Sequence, residues 1–347
     1  MVAAVPSHSM APSLIANAWH GATLDQVRED VAVRSSHALP DVTVPLRALH
    51  VTPAGLFEVP GVGEFDLTDW SRSQLSRLLG IRWDRWFGGG LVSPEERKEE
   101  IERRLTRLSG EWKIRTRHYF PGEEGPGDGV VRAFLGAGYT PIDDVRVLDR
   151  LARVVRSRVE AFRILRQDIT DRSSYYVAVT MDEVDLGDHK ADPHWNGFVI
   201  ANSEVGFGAL SLLEYLVRLV CANGLVVFGH GHKLFHRVHR STTDDSLDRD
   251  LSYAFTRLPD CWSETTRAIR TSQTDVIEDP EVFLAQLLGH PLLRPHADAI
   301  RAVLNLEPVP TRFSAVQILT QTAQSLPPDE RYQLERLAGR VLVGAEA

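Results

Sequence analysis

The spacing of apolar residues changes several times along this chain, and each spacing predicts a different element. Alternating apolar residues predict a strand over 111–120, and residues 164–170 and 175–184 are predicted as two strands around the turn residues 171–174. Apolar residues three and four positions apart predict helices over 94–108 and from Asp143 to about residue 159. Strand segments come in neighbouring pairs joined by turn residues, as at 171–174, and do not alternate regularly with helices. This order predicts an α+β fold, in which hairpins build an antiparallel or mixed sheet with helices packed on it.

Cap and turn residues refine the first half of the chain. Thr68 is a candidate N-cap for a helix over 70–82, and Ser93-Pro94-Glu95-Glu96 is a strong helix-start pattern. Pro45 restricts the strand around 42–46 to a sheet edge. The turn at 53–55 suggests that this strand forms a hairpin with 56–59.

The chain divides into three parts by its patterning. Residues 1–40 show weak periodicity and predict a loosely structured N-terminal arm, and residues 41–240 predict an α+β core domain. Within that domain, the apolar run 209–228 fits a buried helix or buried strands, and we favour two strands with a turn at Asn223-Gly224. Residues 241–347 predict a helical C-terminal region, with candidate helices at 245–258, 262–271, 279–288, 294–305, 312–325 and 328–343.

Composition narrows the class of protein. The 347 residues are 43% hydrophobic and 25% charged, which indicates a globular chain with ample core material. The net charge of -8 argues against a surface that is basic throughout, but allows a local basic face. Only four of the 39 basic residues are lysines. This bias fits either a GC-rich genome or a use of arginine at phosphates and carboxylates.

The start of the chain and its cysteines bear on its location. The first residues lack a basic segment followed by an apolar one, and no apolar run approaches the ~20 residues that span a bilayer. Cys221 and Cys261 are too few for a disulfide framework. We therefore expect a soluble, cytoplasmic protein without membrane contact.

Clustered histidines are the main candidate for a metal site. His232 and His236 would share one face of a helix, a spacing that zinc sites use. Lys233 occupies the position where a His-Glu-x-x-His motif has its acid, which favours a cationic rim over a metal site. A metal-dependent nuclease is an alternative hypothesis. The metal ligands of such a nuclease would be His230, His232, His236 and His239, with Asp192 or Glu204. In the favoured hypothesis, no bound cofactor is expected.

Basic and aromatic residues supply candidate contacts to a DNA strand. Arginine and lysine neutralise phosphates, and aromatic rings stack on bases. Trp83, Trp86 and Phe87, beside Arg82 and Arg85, could form a stacking platform or part of a core. The candidate contacts are Arg115, Arg117, Arg132, Lys233, Arg237 and Arg240, with Trp86 and Tyr119 as aromatic contacts.

Other polar clusters have simpler interpretations. Asp143 and Asp144 fit the cap and first turn of a helix. Asn202, Ser203 and Glu204 fit either a polar site or a turn between two core strands.

Several short segments follow one another in a specific order along most of the chain. They are 18–21 (Ala-Trp-His-Gly), 131–135 (Val-Arg-Ala-Phe-Leu), 139–143 (Tyr-Thr-Pro-Ile-Asp), 197–206, 218–224 (Arg-Leu-Val-Cys-Ala-Asn-Gly), His239 and 334–339. Together they resemble the phage/plasmid-like protein family, a domain of unknown function (number nine-thirty-two). Gly136 and Ala137 depart from the family, which usually shows a serine and a polar residue there.

The resemblance implies a chain carried by phages, plasmids or integrated elements, and it transfers no catalytic residues. The order of elements is also broadly similar to the Rad-fifty-two type of single-strand annealing protein. We therefore expect a homo-oligomeric protein that binds single-stranded DNA in annealing or repair, without bond chemistry. A protein-interaction factor that binds a host protein is the main alternative.

Overall fold

The structure is a computed structural model with an α+β fold. It describes residues 21–83, 92–155, 162–184, 186, 194–218, 223–225, 234–306 and 310–344. Two six-stranded sheets lie within this part of the chain, where the sequence led us to expect one.

The first sheet is mixed. Its strands are β1 (Val42–Pro45), β2 (His50–Val51), β3 (Phe57–Val59), β4 (Gly63–Leu67), β5 (Glu111–His118) and β6 (Gly129–Gly136). They follow the order β1-β5-β6-β4-β3-β2, and β4 runs parallel to β6 while the other pairs are antiparallel. Pro45 lies in an edge strand, as predicted. The turn at 53–55 joins β2 to β3, so the predicted hairpin between β1 and β3 is wrong.

Two capped helices cover the first sheet. They are α2 (Asp69–Leu79) and α3 (Pro94–Leu105). Thr68 caps α2, and Ser93 forms a capping box with Glu96 at the start of α3, so both predicted helix starts are confirmed. The buried faces of these helices pack on the sheet in one apolar core. Burial of that core holds the first half of the chain together.

The second sheet is antiparallel. Its strands are β7 (Phe162–Ile169), β8 (Ser174–Val184), β9 (His194–Asn202), β10 (Leu210–Arg218), β11 (Asn223–Leu225) and β12 (Phe235–Arg237). They follow the order β11-β10-β9-β8-β7, and β12 pairs with β10. The strand interpretation of 209–228 is confirmed for its first half. Asn223 and Gly224, predicted as a turn, are strand residues that pair with β10.

Helices cover both faces of the second sheet. One face packs against α1 (Leu24–Ser35), α4 (Asp144–Val155) and α5 (Asp244–Ser272). On the other face, Tyr175, Val177 and Val199 pack with Tyr332 of α9 (Pro328–Leu342). Because both faces are covered, the central strands are apolar on both sides and lack the alternation of a half-exposed strand.

The remaining helices form a C-terminal core together with the end of α5. They are α6 (Pro280–Leu287), α7 (Ala297–Leu306) and α8 (Arg312–Ala323), next to α9. The helical region is attached to the second sheet by α5, where Trp262 Nε1 donates to the carbonyl of Gly197 at 2.8 Å. No helix in the described part of the chain is long and apolar enough to cross a membrane.

Helix α1 differs from the loosely structured arm that the sequence predicts over 1–40. Thr23 forms a capping box with Gln26, and Val27 and Val31 are fully buried against the second sheet. A short helix with only two buried apolar residues owes its stability to packing more than to propensity, so its pattern is weak in the sequence. Residues 1–20, including Trp19 and His20, lie outside the described residues.

Candidate nucleic-acid interface

A buried polar junction connects the two sheets. Asn202, the last residue of β9, and Ser203 in the turn after it are buried, and Glu204 is nearly so. The amide of Asn202 donates to the carbonyl of Ile142 at 2.8 Å and to Asp144 Oδ1 at 2.7 Å. Ser203 Oγ donates to the carbonyl of Arg172 at 2.6 Å. The predicted turn is therefore present, and its polar side chains tie the sheets to α4.

Arginines of the first sheet complete this junction. Arg132 Nη2 donates to Glu204 Oε2 at 2.6 Å. Arg115 donates to Asp41 at 2.9 Å, to Asp143 at 2.7 Å and to the carbonyl of Glu204 at 2.8 Å. Each buried guanidinium thus has a carboxylate partner, which offsets much of the cost of removing the charge from water.

The two buried carboxyl groups of the junction differ in protonation. Burial, and then the negative charge of Glu204, raises the pKa of Asp144. Burial opposes ionisation of Glu204 too. The charges of Arg132 and Arg115 and the bond from the Asp144 N–H outweigh it and lower the pKa of Glu204. Glu204 is accordingly the charged partner of the arginines, and Asp144 is the group that holds a proton more readily.

A histidine–tyrosine pair closes the junction on the side of β12. The rings of Tyr139 and His239 stack with centroids 5.1 Å apart, and Tyr139 Oη lies 2.9 Å from His239 Nδ1. Burial lowers the pKa of His239 to about 4, so the imidazole is neutral near pH 7. Burial likewise raises the pKa of Tyr139. The pair is therefore uncharged, and its stacking contact holds the segment that follows β12 against Tyr139.

A groove beside the junction has a different character. Its wall carries a ladder, defined here as Arg77, Trp70, Phe207 and Arg172. The guanidinium of Arg77 lies 5.0 Å from the Trp70 ring, and that of Arg172 lies 5.8 Å from the Phe207 ring. The two rings contact each other edge to face, 5.1 Å apart. The groove has a volume of about 870 Å³, and Arg72, Arg82 and Trp83 also line it.

The cations of the ladder have aromatic partners. Among the described residues, no carboxylate forms an ion pair with Arg77 or Arg172, whereas Arg72 pairs with Asp69 at 3.0 Å. Arg77 Nε donates to the carbonyl of Ser73 at 3.2 Å. Cation–π contacts orient a guanidinium without neutralising it, so the ladder keeps two positive charges at the groove.

The junction positions the aromatic rings of the ladder. Trp70 Nε1 donates to the carbonyl of Val205 at 2.9 Å, and the Phe207 N–H donates to Ser203 Oγ at 2.9 Å. Gly206 between them has φ +76°, and a Cβ there would lie 2.8 Å from Leu135 Cδ2. This left-handed conformation favours glycine, so the turn that carries Phe207 depends on Gly206.

Part of the junction lies in a segment that a family comparison recognises, whereas Asp41, Arg115 and Arg132 lie outside that segment. Residues 133–291 match the family described as a domain of unknown function (DUF932). The DUF932 segment runs from β6 to just beyond α6, so it contains the second sheet, the turn after β9 and His239. No curated protein and no solved structure matches the chain. The description of this family specifies no activity.

Most described arginines predicted as phosphate contacts are held by carboxylates. Arg115 and Arg117 are each only 6% exposed, although the sequence pattern placed both side chains on one accessible side of a strand. A β-bulge between Arg115 and Thr116 breaks the alternation, so that residues 114–117 are all buried. Arg117 bonds to Glu123 at 2.6 Å, Arg132 pairs with Glu204, and Arg237 donates through Nε to Asp250 at 2.7 Å.

The other predicted contacts fall into two groups. Arg240 is exposed, and Tyr119 is half-buried against the loop that contains Gly125. Trp86 and Lys233 lie outside the described residues, as do Phe87 and Arg85. Trp83 and Arg82, from the predicted stacking platform, do line the groove. No pattern in the sequence singles out Trp70 or Phe207, because neither belongs to an aromatic cluster in its segment.

The histidines proposed as metal ligands are only partly described. His236 is exposed, and its Nδ1 lies 3.0 Å from Ser211 Oγ, while His239 is buried on Tyr139. His230, His232 and Asp192 lie outside the described residues. Within the described residues, no group of three or more potential ligands could hold a metal ion.

Proposed function

We propose that this chain binds single-stranded DNA along the groove beside the junction, and acts in annealing or recombination without breaking bonds. The ladder of Arg77, Trp70, Phe207 and Arg172 is the observation that carries this proposal. Two adjacent rings lie between two cations there, so the groove offers aromatic surface to bases and positive charge to the phosphates on either side.

The exposed rings favour a single strand over a duplex. Phe207 is 36% exposed, and Trp83 is partly exposed in the same groove. A base can stack on such a ring only when it is free of its neighbours in a helix. A duplex would offer its phosphates to the arginines but would leave the rings without a partner.

The acidic character of the chain is compatible with this groove. The net charge is -8, but the charge that a strand meets is local. The junction arginines are matched by carboxylates and contribute little to the outside field. The ladder arginines are matched by rings, so they remain available to phosphates.

The test is fluorescence anisotropy with labelled single-stranded and duplex oligonucleotides of about 20 nucleotides, across a salt series. The variant combines Arg77→Ala with Arg172→Ala. The control combines Arg249→Ala with Arg257→Ala, which removes the same charge from exposed positions on α5. For single strands, each lost phosphate contact lowers the slope of log affinity against log salt by about 0.7, so we expect a reduction of about 1.4.

The outcomes separate groove binding from general charge attraction. Tight, salt-dependent binding that the ladder variant weakens and the control retains supports the proposal. Absence of binding at low salt, or equal losses in both variants, would overturn it. Light scattering with and without the strand measures whether the protein acts as a homo-oligomer.

A further inference from the structure

A small cleft opens between the end of α1 and the turn that joins β7 to β8. We refer to it as the α1 cleft. Arg34 of α1, Phe120, and Arg172 and Ser173 of the turn are among the residues that line it. Its volume of about 50 Å³ holds a few water molecules or one phosphate group and is too small for a nucleobase. Because Arg172 lines both spaces, the α1 cleft adjoins the groove that carries the ladder.

Arg34 is held at the α1 cleft in the same way as the arginines of the ladder. Its guanidinium lies 4.3 Å from the centre of the Phe120 ring, and the residue is exposed. Glu123, which interacts electrostatically with Arg34, is bonded to Arg117 at 2.6 Å. Arg117 also contacts the Phe120 ring, at 3.8 Å, so this ring orients arginines and is not a stacking surface for a base.

The carboxyl groups that line the α1 cleft are matched by partners. Asp171 lies 3.7 Å from Arg117, and Glu204 accepts from Arg132 at 2.6 Å. Burial raises the pKa of Asp144, so this group holds a proton more readily than an exposed aspartate. The negative groups at the cleft therefore offset the charges of Arg117 and Arg132 rather than those of the exposed arginines.

Two guanidinium groups at the α1 cleft remain without a carboxylate. Among the described residues, neither Arg34 nor Arg172 forms an ion pair, and each lies on an aromatic ring. An anion between two such groups gains charge-assisted hydrogen bonds from both. Since a strand in the groove reaches Arg172, the phosphate that follows is presented to the cleft and to Arg34.

Building on the proposed function, we propose that the α1 cleft binds a backbone phosphate of the same single strand that occupies the groove. The phosphate lies between Arg34 and Arg172, and no base enters the cleft. The strand therefore continues past the ladder and across the turn between β7 and β8. The binding site is longer than the groove alone, and its far end takes a phosphate without a stacked base.

The test is fluorescence anisotropy of Arg34→Ala with unstructured single strands of about 5 to about 30 nucleotides, across a salt series. A strand long enough to reach the cleft should lose one phosphate contact, which lowers its salt slope by about 0.7. At about 0.1 M salt, that slope corresponds to about a fivefold loss of affinity relative to 1 M. The shortest strands that bind in the groove should show no change.

Two further variants separate a phosphate contact from other effects of Arg34→Ala. Arg34→Lys keeps the positive charge, so the salt slope for long strands should stay close to that of the natural protein. Arg249→Ala removes one charge from an exposed position on α5 and should leave the slope unchanged at every length. Equal slopes for Arg34→Ala and Arg249→Ala with long strands would overturn the proposal. An equal effect of Arg34→Ala on the shortest and longest strands would also overturn it.

A failure of the cleft is distinguishable from a failure of the groove. Arg77 lines the groove and not the α1 cleft, so Arg77→Ala should weaken strands of every length. If Arg77→Ala has this effect while Arg34→Ala has none, the groove binds DNA and only the inference about the cleft is wrong. If neither variant has an effect, the proposed function is wrong as well.

A free phosphate ion presents the same chemistry as a backbone phosphate. Calorimetry of the full chain with inorganic phosphate separates the two sources. We expect no binding up to millimolar concentration, because a strand is needed to bring its phosphate to the two arginines. Micromolar binding of inorganic phosphate that Arg34→Ala abolishes would assign the cleft to the free ion and overturn the proposal.

Discussion

Arginines at the junction and arginines in the groove lie close together but have opposite surroundings. Arg115 and Arg132 are enclosed by Asp41, Asp143 and Glu204. Arg77 and Arg172 lie on aromatic rings instead. A carboxylate partner neutralises a guanidinium, so that the pair serves to hold the folded structure together. An aromatic ring orients a guanidinium but does not neutralise it, so its positive charge can still contact a ligand. The neighbours of an arginine, more than its presence, therefore indicate its role.

The largest expected effect comes from breaking the junction. Glu204→Gln leaves Arg132 and Arg115 buried with one carboxylate fewer, so we expect a loss of about 3–5 kcal/mol in the free energy of unfolding. Urea denaturation measures this loss. Asp298→Asn, at an exposed and loosely paired position on α7, is the control and should change the free energy by less than about 0.5 kcal/mol. A loss below about 1 kcal/mol for Glu204→Gln would contradict the role assigned to the junction.

Removing one ring of the ladder should reduce binding and leave the junction intact. Phe207→Ala removes a partly exposed stacking surface, so we expect single-strand affinity to fall by about 1–3 kcal/mol. The free energy of unfolding should fall by only about 1 kcal/mol, from the lost contact with Trp70. Anisotropy and urea denaturation measure the two quantities. An unfolding loss as large as that of Glu204→Gln would show that the two regions are not separable.

The proton on Asp144 gives the junction a distinct pH dependence. Since the pKa of Asp144 is raised, its contribution is full below about pH 4 and is lost as the pH rises toward the folded-state pKa. Asn cannot ionise, so Asp144→Asn should gain stability relative to the natural protein as the pH rises from about 4 to about 7, where the raised pKa of Asp144 lies. The gain should reach up to about 1.4 kcal/mol per pH unit.

Urea denaturation of both proteins at several pH values tests this sign. The lowered pKa of His239 acts in the opposite direction, because its contribution is lost as the pH falls from about 6.5 toward 4. That residue is present in both proteins, so its contribution largely cancels in the difference. A stability difference that stays constant with pH would contradict the assignment of the proton to Asp144.

The smallest expected effect concerns Arg240, which the sequence marked as a phosphate contact. It is exposed, so Arg240→Ala should change the free energy of unfolding by less than about 0.5 kcal/mol. If it contacts a phosphate, the salt slope of single-strand binding should fall by about 0.7. An unchanged salt slope in the anisotropy assay would show that Arg240 does not contact a phosphate. Exposure alone would then not identify a DNA-binding arginine, in contrast to the position of Arg77 on an aromatic ring.

Helix starts were predictable because a cap is a local interaction. Thr68 and Ser93 bond to backbone groups three residues away, so the pattern alone identifies them. Pro259 is the opposite case. We predicted a break between helices at 245–258 and 262–271, but α5 continues through this residue. Buried residues on both sides of Pro259, including Leu258 and Cys261, hold the two halves against the same core, and this packing outweighs a local cost of about 3 kcal/mol.

The candidate site was harder to predict than the helices. The sequence drew attention to Asn202, Ser203, Glu204 and His239, and the structure brings them together at the junction. It also suggested an open face for Arg115 and Arg117, and the bulge that buries them leaves no mark in the residue pattern. Trp70 and Phe207 are separated by more than a hundred residues, so only folding places their rings in contact.

The sequence by itself determined the α+β class, the capped helices α2 and α3, the edge position of β1 and the helical nature of the region after residue 240. These features depend on the spacing of apolar residues and on bonds between near neighbours in the chain. Only the tertiary structure decided that there are two sheets, that α1 is part of the core and which arginines are neutralised. Charge pairing and ring contacts depend on distances between remote segments, and packing sets those distances, whatever the local pattern.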